Sequence, residues 1–541
     1  MSKLLSLVAV LTFLAVANSA PKNAANDKWP TKYEPMVGMP DEGNVVPAIT
    51  YEAYLKMSED VKNMPVRKLA ANYDDSNMSQ ELKSLRDAIN KLGYDNNGKK
   101  LPKEELYKEA NKLHKILLDA KVNIMSKPND YKFVMAHLAP MQVYRSIVYR
   151  MIPVVAPSQA LRQSIVDSIQ DAYADMKLFF PDSEWEVGFT YITEPFAAAK
   201  VDGADVVGSS PQFKNESEVQ NFLITRVATE TQWANSVIAT ISVPVTEPLV
   251  IDNRLIYGKS AFGAVNKADL DRYTVVRQQD VLAARGRFER QLYSIKMNAV
   301  YNIERSARLA SEVAALYGIE VAKAKIASLL KKDPMSPTRK DRVDIVMNNE
   351  FKNSFVKNPN ANKYVNEAMD HLTNSVVVNK LAWEMYTKSN DSANAFIDPA
   401  FFKARIPETK KGFENAIGLV FGKQRTVTSV ITGQTIEINF RDFILNGLPH
   451  DSKNMLPTIF DDQGPRYLTR DGMKYRDYSW GRAIGWDSAI YQNLFPELKS
   501  IINDPKQGKR AADLAVNDQM RVFTESRGGT ILADFLLGYV R

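Results

Sequence analysis

The residues best suited to ligand recognition are concentrated in one stretch near the C-terminus, residues 460–486. This stretch mixes aspartates and arginines with tyrosines and tryptophans, and it contains four glycines. Aromatic faces can stack on a ligand while fixed charges orient it. We assign the following residues to this candidate binding surface: Asp462, Arg466, Tyr467, Asp471, Tyr475, Arg476, Trp480 and Trp486. The alternative interpretation is a long loop that is packed by its own aromatic rings and salt bridges.

A titratable pair, His450 and Asp451, lies just upstream of this stretch in a loop bounded by Gly and Pro. Such a pair can supply acid or base function. A glycoside hydrolase needs only two carboxylates a few ångströms apart, and the chain has 63 Asp and Glu residues. We therefore keep a hydrolase of envelope polysaccharide or peptidoglycan, using carboxylates or His450, as the alternative function.

Motifs for other chemistries are incomplete. The four histidines are scattered, none lies in an HExxH motif, and there is no cysteine, so the sequence predicts no zinc site. Ser328 and Ser354 each precede a lysine by three residues, but the accompanying KTG motif is missing. No segment fits the phosphate-binding loop consensus. We predict no cofactor and no resident metal.

One segment between two predicted helices, GYDNNGKKLPKEEL, has the outline of a calcium-binding loop. With Gly98 at the sixth loop position, Asp95 and Asn97 fall at ligand positions. However, Gly93 occupies the first ligand position, and Lys100 occupies the position that is usually apolar. Because one ligand is missing, we interpret the segment as a plain turn and expect calcium to leave stability unchanged.

The first twenty residues predict a cleavable secretory signal. Lys3 supplies the positive charge and residues 4–16 supply an apolar core, which is shorter than the roughly 20 residues that span a bilayer. We expect cleavage between Ser19 and Ala20, and no transmembrane segment in the mature chain. An exported chain of 541 residues without cysteine favours a bacterial periplasm, cell surface or exterior.

The charge distribution argues against nucleic acid as a partner. Lys and Arg number 70 against 63 Asp and Glu, a formal net charge of +7, and the two signs alternate along most segments. A nucleic-acid binder concentrates its basic residues in a stripe or tail. The partner that we expect is instead an envelope or extracellular protein or polymer, and the oligomeric state is left open.

Helical periodicity dominates the chain. Ser79 is expected to cap one helix and Pro102 to occupy the first position of the next. The longest pattern runs over residues 277–317, where arginines surround an apolar stripe and Glu289 lies among them. We interpret this segment as a core helix rather than a membrane-surface helix, since its opposite charges can pair at helical spacing. Further helices are predicted from Ser158, from Arg342, and over residues 360–385 and 401–418.

The predicted fold is therefore mainly α, with a multi-helix, bundle-like body and an irregular α+β region at the C-terminus. Its small β component comprises a strand near 185–192 and a hairpin near 425–440. We divide the chain into a signal peptide (1–19), an extended arm (20–50), a helical domain (51–180), a mixed α/β connecting region (181–265), a second helical domain with a long central helix (266–420) and an α+β region (421–541). No reaction motif is complete, so the favoured function is a noncatalytic binding, scaffold or structural protein.

Overall fold

The computed structural model describes residues 46–65, 73–92, 94–99, 101–140, 221–244, 247–252, 273–300, 355–389, 406–448, 488–504 and 506–536, together with short pieces at 200–201, 204–205, 218, 255, 451–452, 458–459, 466–470, 473–477 and 483–484. The predicted signal peptide, the helices from Ser158 and Arg342, and the strand near 185–192 lie outside the described residues. These features stay predictions.

The described chain is mainly α, as predicted. Its principal helices are α1 (Tyr51–Asn63), α2 (Gln80–Asn90), α3 (Lys103–Lys121), α4 (129–140), α5 (Ala228–Ala239), α6 (Gln278–Val300), α7 (Ala361–Lys388), α8 (Ile406–Val420), α9 (Leu498–Ile502), α10 (Lys509–Glu525) and α11 (Arg527–Leu536). Within the described ranges, no helix combines the length and the apolar character needed to cross a membrane.

The β component consists of short strands that pair antiparallel, two by two. The strands are β1 (Lys200–Val201), β2 (Ala204–Asp205), β3 (Leu249–Asp252), β4 (Tyr273–Val276), β5 (Phe355–Val356), β6 (Thr426–Thr428), β7 (Thr435–Glu437), β8 (Asp451–Ser452), β9 (Thr458–Ile459), β10 (Arg466–Arg470), β11 (Met473–Asp477) and β12 (Ala483–Ile484). The pairs are β1–β2, β3–β4, β5–β8, β6–β7, β9–β12 and β10–β11.

Local sequence signals account for several helix boundaries. The hydroxyl of Ser79 accepts a hydrogen bond from the backbone N–H of Leu82 at 3.2 Å, which confirms Ser79 as the cap of α2. Pro102 is one position off its prediction, because it occupies the N-cap and α3 begins at Lys103. Its extended ψ of 155° precedes the helix rather than belonging to it.

The loop between α2 and α3 is held in a turn by hydrogen bonds between the Asp95 side chain and backbone N–H groups. Oδ1 of Asp95 accepts hydrogen bonds from the backbone N–H groups of Asn97 and Lys99, both at 2.8 Å. Gly98 has a φ of +73°, a conformation that glycine adopts without strain. The carboxylate therefore holds a turn together in the manner of an Asx-turn.

Helices α6 and α7 form the central pair of the fold. They run antiparallel: the Asp280–Tyr386, Glu289–His371 and Lys296–Glu367 contacts follow one another along α6 in ascending order and along α7 in descending order. Helix α5 also packs against α6. Phe288 and Leu292 of α6 are buried, so the prediction of a core helix is confirmed over the described part of this segment.

Two hydrophobic cores meet at α6. The first is built by α2, α3, α4, α5, the β3–β4 pair and the first half of α6. The second is built by α1, α7, α8, the β6–β7 hairpin, α10, α11 and the second half of α6. Because α6 contributes to both, it ties the two halves of the described structure together. The domain boundaries stay predictions.

The predicted C-terminal hairpin is present as β6 and β7. Val427 and Ile436 are cross-strand partners and both are buried, while Gly433 in the turn has a φ of +75°. Arg521 of α10 donates to Oε1 of Gln434 at 2.7 Å, which fixes the hairpin on that helix. Helix α10 also lies beside β11 and β12.

Candidate functional site

Four of the eight residues assigned to the binding surface lie on one two-stranded ribbon, β10 and β11, which we call the ribbon. Tyr467 is the cross-strand partner of Arg476, and Leu468 is the partner of Tyr475. Directly opposite residues of an antiparallel pair belong to the same face. In the backbone register of the ribbon, an aromatic residue, Tyr467, is therefore directly opposite a cationic one, Arg476.

The ribbon is enclosed by a second strand pair. Strand β9 precedes it and pairs with β12, which follows it, so the two strands that flank the ribbon in the sequence lie next to each other. Helix α10 lies beside β12. Asp462, Asp471, Trp480 and Trp486 lie outside the described residues, as does His450; their assignment stays a prediction.

A second group of polar residues converges in the helical body, and the sequence analysis did not find it. Oε2 of Glu289 accepts a hydrogen bond from Nδ1 of His371 at 2.7 Å. Its Oε1 accepts from Asn235 at 2.9 Å and from Asn374 at 3.1 Å. The Nε atom of Arg285 lies 3.7 Å from the same Oε1. We call these five residues the Glu289 cluster.

The Glu289 cluster is sealed inside the helix packing. Glu289 is 0% exposed and His371 is 5% exposed. Its members come from α5, α6 and α7, and Oδ1 of Asn374 accepts from the backbone N–H of Ile49 at 2.7 Å. A buried carboxylate is costly unless it is hydrogen-bonded and paired. Here the hydrogen-bond donors come from α5 and α7, and the Arg285 guanidinium of α6 adds a nearby positive charge. The cluster thus connects three helices and the segment that precedes α1.

A carboxylate on Nδ1 of a histidine is also the arrangement that orients a catalytic imidazole. The Glu289–His371 pair has this arrangement, but α5, α6 and α7 enclose it. In this position the pair takes part in hydrogen bonds that link α5, α6 and α7. The segment HLTNSVVVNK gives a sequence signal for the cluster, because His371, Asn374 and Ser375 interrupt an otherwise apolar helix. It does not identify Glu289 as their partner, which is 82 positions from His371.

A second buried ion pair joins α3 to α5. Nζ of Lys121 lies 2.6 Å from Oε2 of Glu230, and the two side chains are 2% and 0% exposed. The same Nζ lies 4.5 Å from the centroid of the Trp233 ring. A cation over an indole face is stabilised by the ring quadrupole, so Trp233 and Glu230 together hold the lysine in the core.

Burial shifts the pKa of two further side chains. Burial raises the pKa of Asp280 to about 6, although the hydroxyl of Tyr386, which donates to it at 2.5 Å, acts in the opposite direction. Burial and the nearby Arg287 guanidinium lower the pKa of His137 to about 3. Nδ1 of His137 donates to the carbonyl oxygen of Phe133 at 2.7 Å. Both groups lie inside the helix packing.

Among the described residues, no group of three or more His, Cys, Asp or Glu side chains is placed to hold a metal ion. The chain matches no protein-family model, and comparisons with curated proteins and with solved structures return no significant match.

Proposed function

We propose that the chain is an exported, noncatalytic binding or scaffold protein of the bacterial cell envelope or exterior. In this proposal a rigid helical body carries the ribbon, and the stretch from residue 460 to 486 recognises an envelope or extracellular ligand. The signal sequence and the absence of cysteine support the location.

The observation that carries the proposal is the burial of the Glu289 cluster inside the helix packing. The histidine–carboxylate pair with the geometry of a catalytic dyad is buried, and both carboxylate oxygens accept hydrogen bonds from neighbouring helices. Hydrogen bonds to both oxygens of Glu289 join α6 to α5 and α7 inside the core, and buried hydrogen bonds of this kind rigidify helix packing. They support a role for the helical body as a rigid frame.

The ribbon supports the recognition part of the proposal. Its ten described residues include four basic residues, one acidic residue and two tyrosines. Arginine and tyrosine are enriched where proteins bind other molecules, because each combines a broad contact surface with a polar end. Helix α10, which also anchors the β6–β7 hairpin through Arg521, gives the ribbon a fixed support.

The decisive experiment separates binding from hydrolysis. Purified mature protein is incubated with peptidoglycan sacculi that retain their attached polysaccharide, and the pellet and the soluble fraction are both analysed. We expect the protein to be retained on the pellet while no soluble sugar or muropeptide is released. Release of fragments, lost in the His450→Ala variant, would replace this proposal with the hydrolase.

The Trp480→Ala variant extends the test to the predicted site. If Trp480 belongs to the recognition surface, retention on the pellet falls while the free energy of unfolding is unchanged. If the stretch is a packed loop, truncating the ring costs about 3 to 5 kcal/mol of stability and the proposed site is wrong.

A further inference from the structure

The register of the ribbon divides its ten residues between two faces. Successive residues of a strand belong to opposite faces, and directly opposite residues of an antiparallel pair belong to the same face. The pairs Tyr467–Arg476 and Thr469–Lys474 therefore share one face, which we call the cationic face. The other three pairs share the second face, which we call the apolar face: Arg466–Asp477, Leu468–Tyr475 and Arg470–Met473.

The two faces differ in composition. The two aliphatic residues of the ribbon, Leu468 and Met473, both belong to the apolar face, together with Tyr475. The one acidic residue, Asp477, also belongs to this face, where it is directly opposite Arg466. Opposite charges in this register can neutralise each other. The cationic face holds two basic residues and, within the ribbon, no acidic residue.

The residue types of the cationic face are suited to an acidic sugar polymer. Lys474 and Arg476 are two positions apart on β11, which separates them by about 7 Å along the strand. A guanidinium can bind a carboxylate through two parallel hydrogen bonds, and an ammonium binds it as a point charge. Tyr467, directly opposite Arg476, adds an aromatic ring whose flat face can stack on a sugar ring.

The distribution of apolar residues argues against an anionic membrane as the ligand. Proteins dock on a membrane surface by combining basic residues with apolar residues that enter the acyl region. On the ribbon, Leu468 and Met473 belong to the face opposite Lys474 and Arg476. An antiparallel strand pair commonly packs its apolar face on the body and leaves its polar face in water, and α10 lies beside β11.

We propose that the cationic face of the ribbon binds an acidic polysaccharide, a sugar polymer whose repeat unit carries carboxylate groups, while the apolar face packs on the body. Lys474 and Arg476 bind the carboxylates, and Tyr467 contacts a sugar ring. The inference rests on the proposed function, because it names the chemical class of the ligand that the ribbon recognises.

The experiment measures binding of the full mature protein to polygalacturonate, in which each sugar ring carries a carboxylate, by isothermal titration calorimetry. The uncharged comparison is the same polymer with its carboxylates methyl-esterified. We expect the protein to bind polygalacturonate and not the esterified polymer. Raising the ionic strength from about 0.05 M to about 0.5 M should weaken this binding, because salt screens exposed charges.

Two double variants remove the same charge from opposite faces of the ribbon. Lys474→Gln/Arg476→Gln removes both cations of the cationic face, whereas Arg466→Gln/Arg470→Gln removes two cations of the apolar face. The first variant should bind polygalacturonate at least about tenfold more weakly than the wild type, and the second should stay within about twofold. Thermal unfolding checks the folding of both. If either double variant melts below the wild type, the single variants Lys474→Gln and Arg470→Gln make the same comparison.

Equal losses of affinity in the two double variants would overturn the proposal, because binding would then depend on net charge and not on one face. Wild-type affinity in both variants would also overturn it. So would equal affinity for poly-glutamate or for phosphatidylglycerol vesicles, which carry negative charge without a sugar polymer. Retention on sacculi without binding to polygalacturonate overturns this inference alone, whereas face-dependent binding to polygalacturonate without retention on sacculi overturns the proposed function alone.

Discussion

Nδ1 of His371 lies 2.7 Å from Oε2 of Glu289, and this hydrogen bond joins the two longest described helices at the centre of the molecule. Glu289 also binds Asn235 of α5 through its second oxygen. One carboxylate therefore sets the relative position of three helices. The contribution of Glu289 to the free energy of unfolding can be measured by substituting it.

Glu289→Ala should destabilise the protein by about 3 to 5 kcal/mol, because it leaves His371, Asn235 and Asn374 buried without their acceptor. Urea unfolding followed by circular dichroism measures the change. The control is Glu367→Ala, which removes an ion pair with Lys296 whose carboxylate is 31% exposed. This partly exposed pair should contribute only about 1 kcal/mol, and equal losses in the two variants would contradict the central role of Glu289.

Lys121→Met should also be strongly destabilising, by about 3 to 5 kcal/mol, because it removes the Lys121 partner of the buried Glu230 carboxylate. The double variant Lys121→Met/Glu230→Met should recover most of this loss, since replacing a buried pair by apolar side chains of similar volume is often neutral. A thermal-unfolding double-mutant cycle makes the comparison. Two additive losses would mean that the pair is not coupled.

Gly286 lies where α6 and α7 pack closely. A Cβ at this position would overlap the side-chain amide of Asn379, while the hydroxyl of Ser375 donates to the Gly286 carbonyl oxygen at 2.8 Å. Alanine normally stabilises a helix interior relative to glycine. Here we expect Gly286→Ala to cost about 1 to 3 kcal/mol.

Adding Asn379→Ala should relieve the overlap and restore part of the lost stability of Gly286→Ala. Gly508→Ala provides a control without overlap, because a Cβ there meets nothing within 4 Å. Gly508 is the N-cap of α10, where alanine is less favourable than glycine, so we expect a loss of melting temperature that is smaller than that of Gly286→Ala. A higher melting temperature for Gly286→Ala would contradict the predicted overlap between a Cβ at this position of α6 and Asn379 of α7.

The free energy of unfolding should depend on pH through two buried groups, Asp280 and His137, whose contributions change in opposite directions as the pH falls. The folded-state pKa of Asp280 is raised from 3.8 to about 6, so the folded protein binds this proton more tightly than the unfolded chain does. The resulting stability is fully present below pH 4 and is lost as the pH rises through 6. Relative to Asp280→Asn, the wild type should therefore gain about 2 kcal/mol between pH 7 and pH 4.

His137 should show the reverse dependence. Its folded-state pKa is lowered from 6.5 to about 3, so the unfolded chain binds the proton first as the pH falls. Relative to His137→Leu, the wild type should lose about 3 kcal/mol between pH 7 and pH 4. Urea titrations of the three proteins at several pH values measure both differences, and slopes of the same sign would contradict the burial of one of the two groups.

The helical class and several boundaries could be predicted because their causes are local. Ser79 caps the turn that follows it, and Gly433 supplies the left-handed residue of its hairpin. The charge pattern of α6 also identified Glu289 as a partner for nearby arginines, and Arg285 lies 3.7 Å from it.

The main partners of Glu289 could not be predicted, because they depend on how helices pack. His371, Asn374 and Asn235 are 82, 85 and 54 positions away, and helical periodicity does not state which helix faces which. Lys121 and Glu230 are 109 positions apart and look like surface residues by type. A single sequence contains no signal that links such pairs.

The central claim, recognition of an envelope ligand by the ribbon on a noncatalytic body, is tested most directly by the retention of ribbon variants on sacculi. Tyr467→Ala/Arg476→Ala removes the cross-strand pair of the ribbon, whereas Thr428→Ala/Thr435→Ala removes an exposed cross-strand pair of the other hairpin. The account predicts at least about tenfold weaker retention for the ribbon variant, equivalent to about 1.4 kcal/mol, with an unchanged melting temperature and unchanged retention of the control. Equal retention of both variants and the wild type would contradict it.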